Sequence, residues 1–185
     1  GVYYDWMSNV TTVTNSNNAC TIDVPAFNGV FDGQNHKITG FNPYVQLTDN
    51  TTFGLFPIVS HGTIKNLELF GQMDISATGQ ADAGMLVGTA YNSTIQNVTV
   101  NGKIVSTGST ETKRYALGQD GVNTVIENVV VNVEADAVGG NNAANGATAA
   151  MYGGIVGFST AINAADQAIV IIKDCVNNGD MNVTL

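Results

Sequence analysis

One short phrase recurs in this chain at a constant interval. Residues 63–71 read TIKNLELFG, residues 94–102 read TIQNVTVNG, and residues 125–133 read VIENVVVNV. Set in columns, Ile64, Ile95 and Ile126 are 31 residues apart, and Ile172 follows 46 further on. Leu67, Val98, Val129 and Cys175 keep the same steps, as do Asn66, Asn97, Asn128 and Asp174. A second phrase lies upstream of each copy, with its column at Leu55, Leu86, Leu117 and Ile155. An interval of this kind means that one structural unit is repeated, and that neighbouring units bury each other.

Within a copy, apolar residues alternate: Leu67, Leu69, Met73 and Ile75, then Val98, Val100 and Ile104. Period two is the mark of a strand with one buried face. Gly, Asn, Asp and Ser separate the strand pieces, as turns require. A helix would place apolar residues three and four apart, and they are not so placed. Composition agrees: of 185 residues, 44% are hydrophobic and only 11% charged, with 21 Gly and 3 Pro. An ordinary soluble domain is about 25% charged. The expected fold is therefore all-β, a parallel β-helix (β-solenoid) with coils of about 31 residues, each stacked ~4.8 Å above the last. A sandwich of hairpins explains the alternation but not the interval. Residues 1–26 read as an N-terminal coil or cap segment and 27–185 as the repeats, one domain overall. In the first copy, KITGF, Ile38 and Phe41 are expected where Ile64 and Leu67 stand later.

The repeated asparagine belongs at a corner between two inward apolar residues. Asn66, Asn97 and Asn128 are expected to stack as an amide ladder. Asp174 ends it, since a carboxylate accepts but does not donate. Asn97 is expected to face inward, which argues against a glycan there although it is one of the N-x-S/T sequons at Asn9, Asn50, Asn92, Asn97 and Asn182. Cys175 falls in an apolar column and Cys20 precedes the repeats. At ~4.8 Å per coil they lie on the order of 15–20 Å apart, so two free, buried thiols are expected rather than a disulfide.

Net charge is −9, from 6 basic and 15 acidic residues. That excludes a clustered basic face for nucleic acid and gives no attraction to an anionic membrane. No apolar run is long enough to span a bilayer. No cofactor or metal is expected: HExxH, GxSxG, CxxC and phosphate-loop patterns are missing, and the stretch FDGQNH offers a single acid. The column Asp74, Val105, Asp136, Asn182 places its acids two coils apart, beyond the spacing of a paired-carboxylate hydrolase. His36 and His61 sit in turns and read as backbone partners. A Thr array for ice is broken where Thr63 and Thr94 are followed by Val125.

Loops are expected at Ala77–Ala83, Ser106–Ala116 and Val138–Gly153, all leaving one corner, with a further insertion at Phe158–Ala168. Loops on a rigid scaffold carry binding. The candidate ligand contacts are Asp82, Glu111, Lys113, Arg114 and Tyr115. At the start, GVYYDWM is expected to cover the first coil. At the end, GDMNVTL stops on a strand-like copy, so either the natural chain continues or another molecule covers this end.

The phrases FNGVFDGQNHKITGF, FGLFPIVSHGTIKNLEL, GMLVGTAYNSTIQNVTVNGKI and YGGIVGF with IIKDCVNNGDM resemble the GLUG-type repeats of bacterial surface proteins. The likeness runs from Phe27 to Val183 and keeps the order of the motifs, but ALGQDG departs from it in the third copy. The resemblance implies a secreted or surface-anchored protein, often a large adhesin, and supplies no catalytic residue. Two functions follow as expectations. The first is a non-catalytic extracellular module of an adhesin or structural protein, with end-to-end assembly into filaments as a variant. The second is a glycan-binding or carbohydrate-active β-helix using the stacked loops. The partner is accordingly a second copy of the chain, or a host or environmental glycan or protein.

Overall fold

The computed structural model describes residues 26–47, 51–77, 81–107, 113–116, 119–120, 124–138, 151–152, 155, 158–159 and 170–184. These residues are all-β. Along the chain, β1 (Val30–Phe41) and β2 (Tyr44–Leu47) are followed by β3 (Thr51–Phe53), β4 (Phe56–Ser60) and the long β5 (Thr63–Ala77). The pattern returns as β6 (Ala81–Gly84), β7 (Val87–Tyr91) and β8 (Thr94–Thr107). It returns again as β9 (Lys113–Ala116), β10 (Gln119–Asp120) and β11 (Thr124–Val138). The last set is β12 (Met151–Tyr152), β13 (Phe158–Ser159), β14 (Val170–Lys173), β15 (Val176–Asn177) and β16 (Met181–Thr184).

Three parallel sheets result, and each repeat contributes to all three. The largest runs β1-β5-β8-β11-β14, with β2 on β5 and with β15 and β16 on β11. The second runs β13-β10-β7-β4 and the third β12-β9-β6-β3. Pairing is residue on equivalent residue: Ile64 on Ile95, Leu67 on Val98, Ile95 on Ile126 and Ile126 on Ile172. Parallel strands need this connection through other elements, because a hairpin cannot join them.

Inward side chains of the three sheets meet in one cluster. It includes Ile64, Leu69 and Met73 from the first sheet, Val59 and Val87 from the second, and Phe53 and Ala83 from the third. The isoleucine column shows the logic. Ile64, Ile95 and Ile126 are 0% exposed, each covered above and below. Burying such a side chain stabilises by roughly 1.5–3 kcal/mol. Aromatic rings fill the core near the first repeat, where Phe27 and Phe31 pack on Phe56 with centroids 5.3 and 5.2 Å away.

Two expectations about the strands are corrected. In the first copy, Phe31 stands opposite Ile64, His36 opposite Leu67, Ile38 opposite Leu69 and Phe41 opposite Gly71. The cause is a pair of register shifts in β1, the first carrying both Gln34 (φ 52°) and Asn35 (φ 62°) in the left-handed region. The segments expected as loops are also partly strand: β9, β12 and β13 fall inside them, and β6 begins inside the first. Four-residue or shorter strands leave little alternation to read, and their hydrogen bonds come from the neighbouring repeat. The central parts of those segments, 78–80, 108–112, 139–150 and 160–169, lie outside the described residues, as do GVYYDWM and Cys20.

One glycine marks where the repeats approach most closely. Gly102 has φ 139°, and a Cβ there would sit 1.7 Å from the carbonyl oxygen of Gly71, its partner in β5. Gly40 has φ 77° but open space around it. Gly102→Ala is thus expected to lower the unfolding midpoint more than Gly40→Ala, which suffers only the left-handed penalty of about 1–2 kcal/mol. Thermal melts followed by circular dichroism would rank the two, and equal losses would contradict the close approach.

Candidate functional site

A left-handed residue builds the first corner. Asn66, Asn97, Asn128 and Asp174 have φ of 55°, 53°, 51° and 52°. Asn and Asp tolerate this region better than other non-glycine residues. The turn resets the strand's alternation, so Ile64 and Leu67, three apart, both point into the core. Leaving the core to its neighbours, the asparagine side chain lies along the direction in which repeats stack. Asn128 Nδ2 donates to Asn97 Oδ1 at 2.8 Å, Asn97 Nδ2 to Asn66 Oδ1 at 3.1 Å, and Asn66 Nδ2 to Asp32 Oδ1 at 2.9 Å. Asn97 is exposed, which corrects the expectation that it faces inward: a left-handed corner turns the side chain out of the core.

A second amide ladder runs beside the first and was not read from the sequence. Asn178 Nδ2 donates to Asn132 Oδ1 at 2.9 Å, Asn132 Nδ2 to Asn101 Oδ1 at 2.8 Å, and Asn101 Nδ2 to Glu68 Oε1 at 3.3 Å. Its signal was present, since Asn101, Asn132 and Asn178 keep the steps of the isoleucine column. A second left-handed corner also escaped notice. His61 (φ 58°) and Asn92 (φ 46°) are 31 apart, and His61 N donates to Tyr91 O. The His61 ring is within 3.1 Å of Ser60 Oγ through Nδ1.

Charged side chains are arranged along the same direction. Asp32, Lys65, Gln96, Glu127 and Lys173 form one column in register. Lys65 pairs with Asp32 at 3.4 Å and Lys173 with Glu127 at 2.7 Å. Lys37 pairs with Glu68 at 2.8 Å, and Lys103 bridges Glu134 and Asp136. The amide of Asn66, the Gln34 backbone N–H and Lys65 hold the Asp32 carboxyl below the usual carboxylate range. Lys103, with help from Asn182, does the same for Asp136. In return, Asp136 and Glu134 raise Lys103, and Glu127 raises Lys173. No group of three or more metal-ligating side chains occurs among the described residues.

The expected ligand residues are only partly brought together. Asp82 in β6 lies opposite Arg114 in β9, with Ala81 opposite Lys113 and Ala83 opposite Tyr115. Four of the five therefore belong to two adjacent strands of the small third sheet, and Glu111 lies outside the described residues. Cys175 is free and half-buried, touching the carbonyls of Ile126 and Lys173 through Sγ at 3.5 and 3.2 Å. Full burial was expected from its column. Among the described residues its strand set is the last in the sheet, and there the column is covered from one side.

That edge effect is general. The exposed large apolar side chains among the described residues are Val30, Tyr44, Ile171, Ile172, Val176 and Met181. Every one lies in the first or the last strand set. Ile172 is 49% exposed, where the other three isoleucines of its column are at 0%. Comparison with known proteins adds no relative: no protein-family model, no curated protein and no solved structure matches the chain.

Two variants at Asn97 separate the corner from the ladder. Asn97→Gly keeps the left-handed turn but removes both side-chain bonds, a loss of about 1–2 kcal/mol at roughly 1 kcal/mol each. Asn97→Ala adds the left-handed penalty of about 1–2 kcal/mol. Urea midpoints should fall in the order wild type, glycine, alanine, and an unchanged glycine variant would show that the ladder contributes nothing. The ionic columns set a pH window. Asp32 and Asp136 are lowered in the folded state, so their stabilisation is complete above about pH 4 and is lost as pH falls through their folded values. Lys103 and Lys173 are raised, so theirs is complete below about pH 10 and lost as pH rises further. Melting temperature against pH should form a plateau between these limits, and Asp136→Asn should shallow the acid limb.

Proposed function

We propose that the three parallel sheets are the faces of a β-solenoid of the parallel β-helix kind. The chain is then a non-catalytic structural module of an extracellular or cell-surface protein, of the type that carries GLUG repeats. The observation that supports this most is the direction of the polar side chains. Asparagines that an enzyme or a lectin would turn toward a ligand are here bonded to one another from repeat to repeat. Two amide ladders and the ionic columns tie each repeat to the next at the surface, while the isoleucine column ties them inside. Shear between repeats would break both sets at once, so the module resists bending and suits a stalk or spacer. The in-order repeat phrases and the low charge support the surface reading.

Intact cells of the source organism provide the test. An antibody raised against the folded segment is expected to label unpermeabilised cells, and surface proteolysis should remove the label. Labelling that requires permeabilisation would overturn the surface assignment.

A further inference from the structure

We propose that a second copy of this chain stacks head to tail on the last strand set, its β1 and β2 pairing in parallel with β14, β15 and β16. This rests on the structural-module reading and names its partner. Three observations converge on a second copy in that orientation. The first is where the apolar surface lies. Among the described residues the exposed large apolar side chains lie in the two end sets, Val30 and Tyr44 at one and Ile171, Ile172, Val176 and Met181 at the other. Both β1 and β14 are edges of the large sheet among the described residues, and an edge strand is a template for pairing with a further strand.

Register gives the second. Val30, Thr63, Thr94, Val125 and Ile171 share one column, and Phe31, Ile64, Ile95, Ile126 and Ile172 share the next. A second copy continuing these columns lays its Val30 on Ile171 and its Phe31 on Ile172. The half-exposed Ile172 is thereby covered as Ile126 is already covered. Three columns fit less well: Ile38 of the second copy meets Asn177, whose side chain is turned to the backbone of Gly179, Lys37 meets Val176, and Tyr44 meets Asn182.

Charge supplies the third and sets the direction. The column that begins with Asp32 ends with Lys173. Lys173 is largely exposed and is held from below by Glu127. Head-to-tail stacking sets Asp32 of the second copy over Lys173, continuing an order of acid, base, amide, acid, base. At the corner, Asp174 (φ 52°) offers a carboxylate to Gln34 and Asn35 of the second copy, both left-handed and both amide donors. With five strands across the sheet, each added copy lengthens the assembly by roughly 24 Å.

Sedimentation velocity and small-angle scattering of the 185-residue chain test this across a concentration series. Elongated species are expected, their longest dimension growing in steps of roughly 24 Å. Ile172→Asp should raise the dissociation constant at least tenfold while its melting temperature stays within a few degrees. Lys173→Glu and Asp32→Lys should each associate at least tenfold more weakly alone and recover when mixed one to one, since only the mixture restores opposite charges at every junction. Recovery on mixing separates the junction from a general loss of fold. A monomer at all concentrations would overturn stacking and leave the surface-module reading intact, because labelling of cells does not depend on it. A dimer that stops at two copies and ignores Asp32→Lys would also overturn it. Failure of cell-surface labelling with stacking retained would overturn the surface reading alone.

Discussion

A left-handed residue at the same place in each repeat bends the chain without ending the strand, and the rest of the structure follows from that bend. At Asn66, Asn97 and Asn128 the backbone takes φ near +50°. That conformation costs most side chains about 1–2 kcal/mol, and asparagine less. Because the bend recurs after 31 residues, equivalent residues come to lie side by side, and the parallel pairs run without a slip from Thr63–Thr94 onward. Slipping by one residue would move each apolar side chain to the opposite face. The corner therefore sets both the register and the core.

The same corner explains why the polar surface is organised as columns. A side chain leaving a left-handed residue cannot enter the core, and its nearest polar neighbour is its own equivalent one repeat away. Amides serve here because each can donate and accept at once. Where the column reaches a carboxylate, as at Asp32 and Glu68, it accepts the last amide proton and stops. Lys37, Lys65, Lys103 and Lys173 follow a similar rule, each standing directly opposite an acid of the adjoining repeat. Such a surface holds repeats together through groups that are bonded to their own equivalents or to an opposite charge.

Much of this was legible in the sequence. The interval, the alternation and the asparagine column are local patterns, and they lead directly to parallel strands paired residue on equivalent residue. The second ladder was legible in principle, through Asn101, Asn132 and Asn178, but alternation draws the eye to apolar positions. Less could be read at the first copy. Two left-handed residues in place of one displaced KITGF from the columns assigned to it, because a bulge leaves no mark in an apolar pattern. The short strands β6, β9 and β12 were hidden for a different reason. Their existence depends on partners in other repeats, as Asp82 depends on Arg114.

What the sequence alone determined is the unit: strand period, corner residue, and the identity of the columns. These depend on contacts between a residue and its own copies, which an interval makes visible. Only the tertiary structure decided which members of a column are covered. Ile126 and Ile172 are the same residue in the same column, yet one is buried and the other half exposed. Burial depends on a neighbour on each side, and the last strand set has a neighbour on one side among the described residues. The same geometry turned Asn97 outward and left Cys175 half-buried, two outcomes that no pattern of residue types contains.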